Sequence, residues 1–164
     1  MRCGLGTFTG ASGASSYTGC WAGDVKHGAG VLRNSRGVYD GAWAHGLQDG
    51  DGSWTASPAV VAACEAHHVV GYAGGWRGGR HHGRGRATHK DGTYFAGGFD
   101  DGVQHGAGCT KTYANGDVYV GDVVRGGFEG EGTYRFAATA TAYTGAWLHS
   151  CRHGEGSYTY PVRV

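Results

Sequence analysis

Large rings recur along this chain in pairs, with a glycine midway between the two members of each pair. The stretches read "YTGCW" from Tyr17, "YDGAW" from Tyr39, "YAGGW" from Tyr72, "FAGGF" from Phe95, "YVGDV" from Tyr119 and "YTGAW" from Tyr143. Alternate residues of a strand share a face, so the two rings and the glycine line one side while polar residues take the other. The first rings stand at 17, 39, 72, 95, 119 and 143, in steps of 22, 33, 23, 24 and 24 residues. A Gly-x-Gly follows eleven residues after each first ring: Gly28/Gly30, Gly50/Gly52, Gly83/Gly85, Gly106/Gly108, Gly130/Gly132 and Gly154/Gly156. A further copy, Gly4/Gly6, precedes the first ring.

Within each unit the ring strand and the Gly-x-Gly strand are separated by a polar, Gly-rich bend such as "AGDVK", which is hairpin chemistry. A lone hairpin of this size is unstable in water, whereas hairpins stacked side by side support one another. The pattern predicts an all-β fold: an elongated, single-layer ladder of antiparallel β-hairpins with one short helical or loop insertion. It divides one array, 1–164, into a half repeat over 1–16 and repeats from 17, 39, 72, 95, 119 and 143, with the insertion at about 55–70. Ser57 and Pro58 read as a helix start, and Val60, Val61, Cys64 and His68 then fall on one helical face. Both glycines of Gly-x-Gly are expected to leave room for rings.

Composition sharpens this picture. The 35 glycines are about three times the usual share, a level that by itself suggests disorder. Yet 5 Trp, 10 Tyr and 5 Phe accompany them, and disordered chains are poor in rings. The net charge is +1 with 16% charged residues, so there is no broad basic surface of the kind that binds nucleic acid. The five cysteines are irregularly spaced without a CxxC, and the first residues lack the apolar core of a signal peptide. The expectation is a cytoplasmic protein with reduced thiols.

"YTGCWAGDVKHGAG" and "YAGGWRGGRHHGRG" resemble the MORN repeat, which reads roughly YxGxWxxGxxHGxG with a period near 23. The resemblance covers nearly the whole chain. Departures are Val123 for the second ring of the fifth unit, Phe95 and Phe99 in the fourth, and Asp24 and Ser150 at the usual mid-unit glycine. The resemblance implies a non-enzymatic scaffold that binds other proteins, often in cytoskeletal structures including cilia and flagella. It also implies an alternative, a peripheral membrane module reading anionic phosphoinositide headgroups.

The residues nominate three sites. Tyr17, Trp21, Tyr39, Trp43, Tyr72, Trp76, Phe95, Phe99, Tyr119, Tyr143 and Trp147 would build the core and leave one edge each as a groove for a partner peptide or helix. Arg77, Arg80, Arg84 and Arg86 form a local basic patch. Cys64, His67 and His68 are the nearest approach to a metal site, with Cys64 and His68 one helical turn apart. The slot before Gly-x-Gly (His27, Asp49, His82, His105, Glu129, His153) repeats too far apart to share one ion. No catalytic motif or cofactor signature is present. The outermost strands, near Arg2–Thr9 and Arg152–Tyr160, are expected to offer open edges to a partner or a second copy.

Overall fold

The computed structural model describes residues 2–161; Met1 and 162–164, the extremes of the predicted array, lie outside the described residues. Among the described residues, fourteen strands form a single open antiparallel sheet, and all but one of them follow chain order across it. The strands are β1 (Gly4–Thr9), β2 (Ser16–Ala22), β3 (Val25–Asn34), β4 (Gly37–Ala44), β5 (Leu47–Ala56), β6 (Val69–Arg77) and β7 (Arg80–His89). They continue as β8 (Tyr94–Asp100), β9 (Val103–Gln104), β10 (Gly106–Thr112), β11 (Val118–Val124), β12 (Gly127–Phe136), β13 (Thr141–Leu148) and β14 (Cys151–Thr159). The short β9 pairs β8 alone, and β10 carries the ladder onward. The all-β hairpin ladder is therefore the fold.

Each ring strand turns into its Gly-x-Gly strand through two residues that both have positive φ, the signature of a type I′ turn. Glycine fills half of these positions; Asp24 (φ 65), His45 (φ 51), Asp101 (φ 50), Arg125 (φ 50), His149 (φ 51) and Ser150 (φ 62) adopt the same conformation in the others. These turns also bind the units together. Asp24, Gly46, Gly79, Gly102, Gly126 and Ser150 each donate their N–H to a carbonyl of the preceding unit: Arg2, Lys26, Gln48, His81, Gln104 and Phe128, at 2.8–3.2 Å.

The two glycines of Gly-x-Gly do different work. The first, as at Gly28 (φ 61), lies in a β-bulge where the left-handed backbone is required. The second approaches the tyrosine. A Cβ on Gly30 would sit 2.5 Å from Tyr17 Cζ and closer still to its hydroxyl. Only the second glycine makes room for a ring, so the expectation that both do is corrected.

The core is the ring face itself. Tyr17, Tyr39, Tyr72, Phe95 and Tyr119 are buried, as are Trp21, Trp43, Trp76, Phe99 and Trp147. No second layer covers them among the described residues; they cover one another.

In the fourth unit the register differs from the string match. Cys109, not Gly108, pairs with Gly121 and takes the place of the second glycine. The extra residue is absorbed between Gly106 and Cys109, just after the break at His105 that separates β9 from β10.

The insertion between β5 and β6 holds a helix, α1 (Pro58–Ala63), capped by Ser57, whose side chain accepts from Val60 N at 3.3 Å. The helix stops at Ala63, and Cys64 is extended (φ −86, ψ 161). Cys64 and His68 therefore do not share a helical face with Val60 and Val61. The cause is tertiary. Ala66 O and His68 O accept from Asp91 N and Lys90 N at 2.9 and 3.0 Å, which holds this segment against the turn between β7 and β8. Ser57 anchors the other side, donating through its hydroxyl to Ser35 O at 2.7 Å.

Candidate binding groove

The rings form a zigzag of edge-to-face contacts. Tyr17 meets Trp21 and Trp43 at 5.0 and 5.3 Å between centroids, Tyr39 meets Trp43 and Trp76 at 5.0 and 5.2 Å, and Tyr72 meets Trp76 and Phe99 at 5.1 and 5.2 Å. Phe95 continues the series with Phe99 at 5.3 Å. Each ring thus offers a positive edge to a negative face, the favoured aromatic arrangement. Val123 interrupts it. On the far side Phe128 stacks flat on Tyr119, at 3.6 Å and 7°, and Tyr119 and Tyr143 flank Trp147 at 5.5 and 5.4 Å.

The polar tips are satisfied inside the ladder. Each first-position tyrosine donates to the carbonyl three residues ahead: Tyr17 to Cys20, Tyr39 to Ala42, Tyr72 to Gly75, Tyr119 to Asp122 and Tyr143 to Ala146, at 2.9–3.2 Å. Each second-position indole donates to a glycine carbonyl on the preceding strand: Trp21 to Gly6, Trp43 to Gly30, Trp76 to Gly52 and Trp147 to Gly132, at 2.9–3.2 Å. Burial, and after it neighbouring carboxylates, pushes the phenols of Tyr39, Tyr72 and Tyr119 up to about 12. They remain neutral donors at any physiological pH.

One position along the ring face was not singled out by the sequence. Across from each second position lies one residue of the next strand: Lys26 opposite Trp21, Gln48 opposite Trp43, His81 opposite Trp76, Gln104 opposite Phe99, Phe128 opposite Val123 and Arg152 opposite Trp147. Lys26, His81, Phe128 and Arg152 lie over the tyrosine of their own unit. Arg2 stands at the same offset from its Gly-x-Gly, and its guanidinium lies 4.6 Å from the Trp21 ring. The signal was available: the residue two before every Gly-x-Gly. Its chemistry varies from unit to unit, which hid it from a search for repeated letters. His81 stacks on Tyr72 at 3.6 Å and 11°, and its burial lowers the imidazole pKa to about 4, so it is neutral.

Solvent reaches this face at two recesses. One of about 440 Å³ lies among Leu32, Tyr39, Trp54, Trp76, His81 and Arg36, and a second of about 420 Å³ among Tyr134, Phe136, Trp147 and Arg152. The eleven rings named from the sequence form the floor, nearly all of it buried. The half-exposed walls are Leu32, Trp54, Tyr134 and Phe136, which pack against that core.

The basic patch is largely engaged. Arg77 pairs with Asp100 at 3.8 Å, Arg80 pairs with Asp101, and the Arg86 guanidinium lies 4.0 Å from the Tyr94 ring. Arg84 and Arg86 lie on the face opposite the rings, as alternation requires. Cys64, His67 and His68 are not gathered around a common point. His67 Nε2 meets Glu65 at 3.1 Å and its carbonyl faces His89 Nδ1, and no group of three or more metal-binding side chains assembles among the described residues. The slot residues tie turns instead: Asp49 accepts from Gly78 N at 3.1 Å and Glu129 from His149 N at 3.0 Å.

These features define a class: a repeat protein built from similar hairpin units, each completed by its neighbours. The chain belongs to the MORN-repeat family. The family model, described as the MORN repeat, matches residues 1–15, 17–37, 39–56, 72–94, 95–118, 119–138 and 143–162. Compared with the curated proteins, the chain matches none of them. Membership makes it a repeat module of the kind that engages proteins or membranes.

Proposed function

We propose that this chain is a non-enzymatic scaffold that holds a peptide or helix of a partner protein along its ring face. The observation that carries this reading is that the walls of the two recesses, Leu32, Trp54, Tyr134 and Phe136, remain half exposed on a face that no second layer covers among the described residues. Partly exposed rings beside a preformed recess are what a helix or strand anchors into. The proposed setting is cytoplasmic, with which five free cysteines agree. The family resemblance favours a cytoskeletal structure, cilia and flagella included. The strand edges at β1 and β14 bond on one side only among the described residues and offer a second route to a partner or another copy. An anionic-headgroup role draws less support, because three of the four arginines of the basic patch already have partners on the chain.

Proximity labelling in cells, comparing the wild-type chain with Trp54→Ser/Tyr134→Ser, tests this reading. Loss of specific labelled partners with an unchanged β-sheet circular dichroism spectrum is expected. Retention of every partner by that variant overturns the groove.

A further inference from the structure

The two faces of the sheet distribute charge differently: the face away from the rings mixes both signs, with Arg33, Arg77, Arg84, Arg86 and Arg135 beside its carboxylates, whereas Lys26, Lys111 and Arg152 stand on the ring face. Strand carboxylates such as Asp40, Asp51, Asp100, Asp122, Glu131 and Glu155 alternate away from the rings. The turn carboxylates near the ring face are occupied. Asp91 accepts from Thr93 N at 2.8 Å, and Asp117 accepts from Ala137 N and the Tyr134 hydroxyl at 2.8 and 2.9 Å.

Cations do occupy the ring face. Lys26 Nζ lies 4.4 Å from the Trp43 ring, Lys111 Nζ lies 5.2 Å from Tyr113, and the Arg152 guanidinium lies 5.6 Å from Tyr158. Among the described residues none of these three forms an ion pair; ring faces hold them in place of carboxylates. Burial lowers the pKa of both lysines, with Asp91 partly opposing this at Lys111. These are partly desolvated charges whose dehydration has already occurred, so an incoming carboxylate gains more from them than from a hydrated surface lysine.

From this asymmetry we infer that the occupant of the groove is an acidic amphipathic segment of a partner protein, with an apolar middle and carboxylates toward its ends. The inference rests on the groove reading above. Between Lys26 on β3 and Lys111 on β10 the residues opposite the second positions are neutral: Gln48, His81 and Gln104. That interval is six strand steps in the sheet order, about 29 Å on a flat ladder, which about nineteen helical residues span. Apolar side chains of the segment meet Leu32 and Trp54 over this interval, and its carboxylates reach Lys26 at one end and Lys111 at the other; Arg152, four strand steps further on, lies beyond its reach.

The test is selection of a displayed random 24-residue peptide library on the whole chain. Affinities of the enriched peptides are then measured at low and high salt against two charge-reversed variants. The expected result is binders with Asp or Glu flanking an apolar stretch. Their affinity falls at least about tenfold in Lys26→Glu/Lys111→Glu, stays within about twofold in Arg84→Glu/Arg86→Glu, and weakens with salt. Neutral or basic binders that still need Trp54 and Tyr134 overturn the acidic class and leave the groove standing. Acidic binders that respond only to Arg84→Glu/Arg86→Glu place recognition on the other face and overturn it also. Enrichment no greater than on Trp54→Ser/Tyr134→Ser removes the groove reading itself. Anionic phospholipid vesicles or oligothymidylate that bind through Lys26 and Lys111, and that acidic peptides fail to displace, overturn the peptide in favour of another anion.

Discussion

Cys109 faces Phe95 in the place where every other unit sets a glycine against a tyrosine hydroxyl. A Cβ on Gly97 would lie 2.5 Å from Cys109 Sγ and 2.9 Å from Phe95 Cζ, whereas one on Gly19 would lie 2.7 Å from the Tyr17 hydroxyl. The thiol fills the volume that the missing hydroxyl leaves. It donates to Gly106 O at 3.3 Å, while Gly98 O, the carbonyl that a tyrosine here would reach, accepts from His105 N at 2.9 Å.

The two residues should therefore be energetically coupled. Phe95→Tyr forces a hydroxyl onto a buried sulfur, at a cost of about 1–3 kcal/mol. Cys109→Gly empties the site and adds backbone freedom to the unfolded chain, at a cost of about 1–2 kcal/mol. The double variant recreates the arrangement of the other units and should cost less than the sum by about 1 kcal/mol or more. Urea unfolding of the four proteins measures this; additive losses would refute the substitution of thiol for hydroxyl.

Gly30 and Ala29 are neighbours with opposite tolerance. Gly30→Val drives a branched side chain into the Tyr17 ring, which is 1% exposed and cannot swing aside. A loss of more than about 3 kcal/mol, or failure to fold, is expected. Ala29 is exposed on the other face, and Ala29→Val should change stability by no more than about 0.5 kcal/mol. Thermal melts of the two variants decide this, and equal shifts would count against the steric role of the glycine.

His81 makes the ladder sensitive to acid. Its folded pKa, about 4, lies below the ordinary value of 6.5 because burial disfavours the imidazolium. Between those two values the unfolded chain takes up a proton that the folded chain refuses. Stability contributed at neutral pH is thus lost as pH falls through 6.5 toward 4, by at most roughly 3 kcal/mol. The chain contains its own pH-independent counterpart: Phe128 stacks on Tyr119 as His81 stacks on Tyr72. His81→Phe should flatten the stability profile between pH 6.5 and 4. Denaturant midpoints across that range are the readout, and an unchanged slope would rule out His81 as its source.

The sequence displayed the units because ring and glycine are bound together sterically; a tyrosine on this face requires a bare backbone under its hydroxyl. The fourth unit misled for the same reason. Gly106 and Gly108 satisfy the letter pattern, but Phe95 lifts the requirement, and hydrogen bonding then moved the register to Cys109. Ser57 and Pro58 marked the start of α1 because capping is local. Its end at Ala63 was not written locally. Residues 64–68 follow helix-compatible letters, and it is Lys90 and Asp91, distant in sequence, that draw their carbonyls away. In the groove, the buried floor was readable as repeated rings. The half-exposed walls and the charges were not, since Leu32, Trp54, Lys26 and Arg152 occupy repeat positions whose chemistry is free to differ.

That freedom has a structural origin in the turns. The backbone at Arg2, Lys26, Gln48, His81, Gln104 and Phe128 is fixed by a hydrogen bond from the next unit to its carbonyl, which any side chain leaves intact. Shape and recognition are thereby written in separate alphabets. The ladder keeps its register through main-chain atoms, while the side chains at these positions can be rewritten one unit at a time. A change of binding preference then requires no new fold, only new letters at positions whose carbonyls, and not their side chains, hold the register.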